Sequence, residues 1–379
     1  MSRLGRLRPS LLTAAATLLF GTAPGGPAAA QALPDGWDGA EVMQLVQRAI
    51  ERRALPLADT TLQRYTARAD GTVQFLLEAE GHETPLPLRL DQVSVDLYWQ
   101  APDRTRQAIR ALRKQDLLPI RQFRYYADRL TVVQEGFGDI ISVGEGNDVR
   151  AVPHPLSRMG PGEYSFRAAD TVTLRVPGLA APIQVVRIEV RPRQPGQPRF
   201  VGDVYVDAVA ATLVRMRFSF TPAAYVDPRN ERIEILLEHG LWEGRYWLPY
   251  TQELEVRRQA PEIDLGVTTV IRARLAVRDY DFEAPVRFPE GVPAVTYPAG
   301  EGDTTRFEVP LRQAILDEGL RVVPLDAALE MAGGASALLL RRPRVLPPGL
   351  PRLRLHTPSL SASLRANRIE GGAIGAGII

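Results

Sequence analysis

Val214-Arg215-Met216-Arg217-Phe218-Ser219-Phe220 alternates apolar and polar residues with a period of two, and the same rhythm returns in Val267-Thr268-Thr269-Val270-Ile271-Arg272-Ala273-Arg274-Leu275-Ala276-Val277-Arg278. Successive strand side chains point to opposite faces, so each run reads as a strand with one buried face and one charged face. Between them, Ile233, Ile235 and Leu237 alternate with Arg232 and Glu234, and Leu254 and Val256 with Glu253, Glu255 and Arg257. Glu243-Gly244-Arg245 supplies a tight turn before Tyr246, Leu248 and Tyr250. No crossover helix fits between the runs, so pairing is antiparallel and sequential. The stretch 200–278 therefore predicts a large, strongly curved antiparallel meander. Its inner face is apolar and its outer face carries arginine and glutamate.

Working toward the N-terminus, Thr171–Val176, Gln184–Arg191, Asp139–Val143 and Leu130–Gln134 read as further strands. Val93, Val95, Leu97 and Trp99 alternate with Ser94, Asp96 and Tyr98, and Ala101-Pro102-Asp103 ends that run. Asp70-Gly71, between Leu62–Ala69 and Val73–Leu77, predicts a hairpin turn, because both residues tolerate positive φ. Before it, Val42, Leu45, Val46, Ala49 and Ile50 recur at helical spacing. Asp38 with Glu41 gives this helix a capping-box pattern, and Arg52 and Arg53 suit the negative end of its dipole.

Toward the C-terminus, Pro285, Pro289, Pro293 and Pro298 with Gly291, Gly300 and Gly302 read as a linker. Leu311–Glu318 and Leu325–Met331 are helix candidates, and Pro343 to Pro358 marks an extended tract. Alternation resumes at Leu360, Ala362, Leu364 and Ala366. The organisation expected is a signal peptide over 1–32, a helical segment over 33–58, and a β-rich domain over 59–283. A Pro/Gly-rich linker with short helices follows over 284–358, and the start of a barrel strand over 359–379. The fold class is mainly β with minor α.

The signal peptide is read from Arg3, Arg6 and Arg8, the apolar run Leu11 to Phe20, and the small-x-small cleavage site Ala30-Gln31-Ala32. The whole chain of 379 residues carries 46 basic and 44 acidic residues, a net +2. Removing 1–32 takes away three arginines and no acids, so the mature charge is −1. That balance gives no reason to expect nucleic acid. Lys114 is the only lysine, and there is no cysteine. Disulfides, thiolate metal sites, a cysteine nucleophile and an N-terminal lipidated cysteine are thereby excluded. The combination fits export to a bacterial periplasm or outer membrane.

Chemistry is sparse. His82, His154, His239 and His356 are scattered without metal-ligand spacing, so no metal or other cofactor is expected. His154, in Val-Pro-His-Pro-Leu-Ser, reads as structural, and His239 sits at a strand end. No G-x-S-x-G elbow occurs. Gly371 to Gly377 lacks the residues of a phosphate loop. Glu253, Glu255 and Asp279 admit a carboxylate hydrolase only if two of them converge in a cleft. Tyr225, Trp242, Tyr246, Trp247 and Tyr250 either line an apolar cleft or form the core of the longest hairpin. Phe218, Ile235, Trp247, Tyr250 and Leu254 are the candidate cleft residues.

Specific motifs then resemble a family. Gly162-Glu163-Tyr164-Ser165-Phe166 with Asp170-Thr171, Ile188-Glu189-Val190-Arg191-Pro192 and Phe200-Val201-Gly202-Asp203-Val204-Tyr205-Val206-Asp207 resemble an uncharacterised group of bacterial outer-membrane proteins. In that group a periplasmic β-rich domain precedes a surface-antigen-like β-barrel. Val46-Gln47-Arg48-Ala49-Ile50 before Arg64-Tyr65, and Leu364 to Gly371 with Asn367-Arg368-Ile369-Glu370, look similar too. The core meander is similar to the half-barrel of periplasmic lipoprotein carriers. The resemblance implies a non-enzymatic periplasmic region, with a barrel either truncated at Ile379 or encoded separately. It implies partners at the outer membrane or in barrel assembly, or a bound lipid or peptide. The alternative is a free periplasmic lipid or lipoprotein carrier.

Overall fold

The computed structural model describes residues 36–54, 62–79, 85–101, 104–117, 137–143, 148–176, 179, 181–259, 267–307, 310 and 313. In the C-terminal part it describes the backbone of 355–356, 364–367, 371–374 and 377–378. The signal peptide, the strand expected at Leu130–Gln134 and the helix expected at Leu325–Met331 lie outside these residues; of Leu311–Glu318 only Gln313 is among them.

Among the described residues lie the helix α1 (Ala40–Ala54) and the strands β1 to β12. The strands are β1 (Arg64–Ala79), β2 (Leu86–Gln100), β3 (Arg104–Asp116), β4 (Ile140–Val143), β5 (Val149–Pro153), β6 (Tyr164–Leu174), β7 (Ile183–Pro192), β8 (Phe200–Asp207), β9 (Leu213–Phe220), β10 (Asn230–Trp242), β11 (Tyr246–Gln259) and β12 (Val267–Asp281). A single turn, α2 (Gly160–Glu163), precedes β6, and β13 (Val295–Thr296) follows β12. The strands form an 11-stranded sheet in the order β13-β3-β2-β1-β12-β11-β10-β9-β8-β7-β6, with β4 and β5 paired apart from it. The expected meander runs from β6 to β12. The N-terminal meander β1-β2-β3 joins it through β1 and β12, which pair antiparallel from Thr66↔Asp281 to Ala79↔Val267. The sheet ends at β13 and β6 without closing.

The Asp70-Gly71 turn does not form. β1 runs straight through it, with Asp70 opposite Ala276 and Gly71 opposite Leu275. Glycine is needed here for space, not for positive φ. A Cβ on Gly71 would stand 2.1 Å from the Arg274 carbonyl oxygen, so the missing side chain lets β12 close against β1. The real tight turn is Glu243-Gly244, with φ of 51° and 66°, closed by the Arg245 N–H donating to the Trp242 carbonyl at 2.9 Å.

The inner face divides at Gly71. On one side, Val73, Phe75 and Leu77 of β1, Ile271 and Ala273 of β12 and Val256 of β11 join a cluster that takes in the apolar stripe of α1. On the other, Tyr65, Ala67 and Ala69 join Trp99, Leu275, Val277, Tyr280, Leu248, Tyr246 and Trp242. Lengths explain the split. A 15-residue helix spans roughly 22 Å, whereas the 16 residues of β1 span roughly 50 Å, so α1 covers only half the face.

The outer face of β6 to β12 is a ladder of charge. Arg167 meets Glu189, Arg187 meets Asp203 at 3.3 Å, Arg217 meets Glu234 at 2.7 Å, and Arg272 meets Glu255 at 2.8 Å. Over β1 to β3, the stretch expected to be a linker lies along the sheet instead. Gln107 N–H donates to the Ala294 carbonyl and Leu112 N–H to the Glu301 carbonyl. Arg306 reaches Ser94 Oγ at 3.1 Å and the Asp96 carboxylate. This segment covers the β3 edge, which would otherwise present unpaired backbone. In the C-terminal unit, residues 341–379, two short antiparallel pairs form, Leu364–Asn367 with Gly371–Ile374 and Leu355–His356 with Gly377–Ile378.

Gly71→Val is expected to cost about 2–4 kcal/mol, since its Cβ meets rigid backbone. Urea unfolding of the variant beside wild type checks this; an unchanged midpoint would mean that the β1–β12 contact is slack.

Candidate functional site

Three of the five candidate residues form one row across the inner face. Phe218 is opposite Ile235, Ile235 opposite Leu254, and Leu254 opposite Ala273, which in turn faces Val73. Tyr250 packs with the second, aromatic cluster. Trp247 is turned away. Tyr246 and Leu248 point inward, so Trp247 between them faces outward beside its cross-strand partner Leu241. The expected aromatic group separates for the same reason. Trp242 and Tyr246 belong to the aromatic cluster, whereas Tyr225 packs against the other one.

The row is covered, not open. Phe218 and Ile235 are buried, and Val42, Leu45, Val46, Ala49 and Ile50 of α1 fill the same cluster with Ile141, Val149 and Val152 of the β4–β5 hairpin. Phe137 stands edge-on to Phe218, with ring centres 5.8 Å apart. The helix therefore occupies the apolar trough that the sequence marks as the binding face.

Polar pins hold α1 at its two ends, and between them Arg48 donates to the Ala208 carbonyl at 3.0 Å. Asp38 does not form the expected capping box. It takes a positive φ of 58°, its N–H donates to the Phe166 carbonyl at 2.7 Å, and its Oδ1 accepts from the Phe166 N–H at 2.9 Å. Arg193 donates to Oδ2 at 2.9 Å. Burial raises this carboxyl, but the Phe166, Ser165 and Arg193 hydrogen bonds outweigh it and hold the group below its ordinary value. Trp37 next to it lies against the guanidinium groups of Arg191 at 4.0 Å and Arg167 at 4.9 Å. At the other end Arg53 leaves the helix dipole and donates to the carbonyls of Leu156 at 3.0 Å, Gly138 at 2.8 Å and Phe137, and to Asp139 at 3.2 Å.

His154 supports that second pin from below. It is fully buried, and its Nδ1 accepts from the Leu156 N–H at 2.9 Å. Burial drives its pKa well below the ordinary value, and the charge of Arg53 adds to the effect. The imidazole is thus neutral and shapes the loop that Arg53 grips. His239 lies within β10 at a bulge.

The acidic residues weighed for hydrolysis do not converge. Glu253 and Glu255 sit on the outer ladder, 3.4 Å from Arg274 and 2.8 Å from Arg272. Asp279 lies at the far end of β12, at a positive φ of 56°. Among the described residues, no group of three or more His, Cys, Asp or Glu side chains is placed to hold a metal ion. No helix among them is long and apolar enough to cross a membrane.

No family model matches the sequence, and no curated protein does. Among solved structures, a putative outer membrane lipoprotein-sorting protein domain from Vibrio parahaemolyticus is 12% identical, covering 64% of this chain and 93% of that one, with a TM-score of 0.23. A LolA superfamily protein from Nitrosomonas europaea is 11% identical over 64% of this chain and 94% of that one, with a TM-score of 0.19. Lipovitellin, solved for its lipid–protein interactions, is 8% identical over 59% of this chain and 26% of its own, with a TM-score of 0.28. These scores are too low to carry mechanism, and the curved open sheet is read from its own strand order and register.

A neutral buried histidine makes stability complete above the ordinary value of 6.5, to be lost as pH falls below it, because only the unfolded chain takes the proton readily. Melting temperature is expected to drop between about pH 7.5 and about pH 5.5, and His154→Asn to flatten that slope. Parallel slopes in the two proteins would assign the titration elsewhere.

Proposed function

We propose that this protein is an exported, non-enzymatic binding module that holds an elongated apolar ligand against the inner face of its half-barrel. The carrying observation is α1. An amphipathic helix shares one buried cluster with the apolar row Phe218-Ile235-Leu254, and it is tied down by a few polar contacts, Asp38 and Arg53 at its ends and Arg48 to the Ala208 carbonyl between them. Such a helix is a resident occupant that a ligand of similar apolar length replaces. The ligand class is a lipid acyl chain or an apolar peptide segment, recognised by area rather than by directed hydrogen bonds.

The reading extends to place. The export signal read up to Ala32, and the resemblance of roughly residues 40–280 and 360–377 to surface-antigen-like proteins, support a place beside the outer membrane. There it serves as the periplasmic region of a barrel protein, with lipid or barrel-assembly partners. The second reading, a free periplasmic lipid or lipoprotein carrier, draws on the same helix acting as a lid. Fractionation separates the two: a barrel-associated module sediments with outer membranes, and a free carrier stays in the periplasmic extract.

Releasing the lid tests the shared core of both readings. The double variant Asp38→Ala, Arg53→Ala is expected to bind a fluorescent fatty acid about tenfold or more tighter than wild type, as the helix stops competing. Binding that is absent in both proteins, with the variant still folded by circular dichroism, would remove the apolar-ligand reading.

A further inference from the structure

At the aromatic end of the inner face the structure opens a cavity of roughly 1130 Å³. It lies between the β10–β11 turn, the start of β1 and the ends of β2 and β12. Its wall carries the rings of Tyr246, Tyr280 and Phe282, with Trp242 packed behind Tyr280. Tyr246 and Phe282 stand 5.4 Å apart, Phe282 and Tyr280 6.2 Å, and Tyr280 and Trp242 4.5 Å. Tyr280 spends its hydroxyl on the Pro249 carbonyl at 2.6 Å, which fixes its ring.

The rim is charged in an unusual way for this protein. Along the outer ladder, Glu189, Asp203, Glu234, Glu253 and Glu255 each meet an arginine. At the cavity, Glu243, Asp279 and Glu283 have no ion-pair or side-chain hydrogen-bond partner among the described residues. Asp281 adds a fourth carboxylate, with Oδ1 capping the N–H groups of Glu283 and Ala284 at 2.9 Å. Only Arg64 and Arg245 oppose them in the lining. Arg245 already uses the wall, with its guanidinium 5.2 Å from the centre of the Tyr246 ring.

Aromatic faces carry negative potential, and unpaired carboxylates around them deepen it. We infer that this cavity takes a guanidinium or alkylammonium group, seated against Tyr246 and Phe282 and neutralised by Glu243, Asp279 and Glu283. The chain's own Arg245 on the Tyr246 ring marks the seat. A neutral or anionic group gains nothing from the carboxylates and loses solvation. The site is independent of the apolar row: it sits beyond the aromatic cluster, in a part of the face that α1 does not cover.

Trp242, packed on Tyr280, gives a built-in reporter. Titration of the full chain with Nα-acetyl-arginine amide is expected to change tryptophan emission saturably, whereas Nα-acetyl-citrulline amide, uncharged and of the same shape, leaves it unchanged. Glu243→Gln with Glu283→Gln should weaken arginine amide about tenfold, and so should Tyr246→Leu. A pentapeptide with a central arginine that binds tighter than the amide assigns the group to a peptide side chain. Equal affinity for the two assigns it to a small free cation. Equal responses to arginine and citrulline amides, or undiminished binding by the glutamine variant while its melting curve matches wild type, would overturn the proposal. Fatty-acid binding is read separately, so failure here leaves the apolar-ligand reading standing.

Discussion

Everything in this architecture depends on the closure of β1 against β12. The two strands are about 200 residues apart in sequence, yet they pair over nearly their whole length, from Thr66↔Asp281 to Ala79↔Val267. A contact of that separation is entropically costly to form and is made only if the ladder behind it is long. The length comes from continuity, and continuity passes through Gly71. With its Cβ missing, the Arg274 carbonyl packs where a side chain would stand, and two meanders become one sheet. Without that contact the three N-terminal strands would have no shared inner face with the seven strands β6 to β12.

The closure also decides how the interior is partitioned. Long strands give an apolar face roughly twice the length of α1. Half is therefore packed by α1 and the β4–β5 hairpin, and half by the sheet's own aromatic side chains folding toward each other. The helix-covered half is held at its margins by polar contacts, which are directional and few. The aromatic half is held by mutual ring packing and ends in an open, acid-rimmed cavity. On the proposed readings the two halves differ in what they exchange with solvent: one a whole helix, the other only a small charged group.

Much of this was legible in the sequence, and the failures have physical causes. The period-two runs located β9 to β12 because each has one dry and one charged face. β3 was not legible. Arg104 to Asp116 is rich in arginine, alanine and glutamine, residues that suit a helix, and it becomes a strand because β2 offers it a ladder. Asp70-Gly71 carries a turn signature that a tertiary contact overrides. Hydrophobicity alone groups Trp247 with Phe218, Ile235 and Leu254, whereas strict alternation from Tyr246 sends it outward. Asp38 and Arg53 were read by local helix rules, as a cap and a dipole partner. Their real acceptors and donors, Phe166, Leu156, Gly138 and Phe137, are more than 80 residues away in sequence, where no local rule reaches.

On the proposed reading, magnitudes make the helix a competitor for a ligand rather than a permanent plug. The stripe of α1 buries four large apolar side chains, Val42, Leu45, Val46 and Ile50, and one alanine. At about 1.5–3 kcal/mol each, the large ones contribute roughly 6–12 kcal/mol, an upper range because the unfolded chain already buries some of that area. An acyl chain gains about 0.8 kcal/mol per buried methylene, so roughly 8–15 methylenes match the helix. Exchange between the two occupants is then close to balance, and the side that wins is set by terms of a few kcal/mol. The pins at Asp38 and Arg53 are terms of that size: charge-assisted hydrogen bonds, each worth about 1.5–3 kcal/mol. They are too weak to fold the helix onto the sheet by themselves. They are strong enough to decide whether it stays there when an apolar chain of the right length arrives.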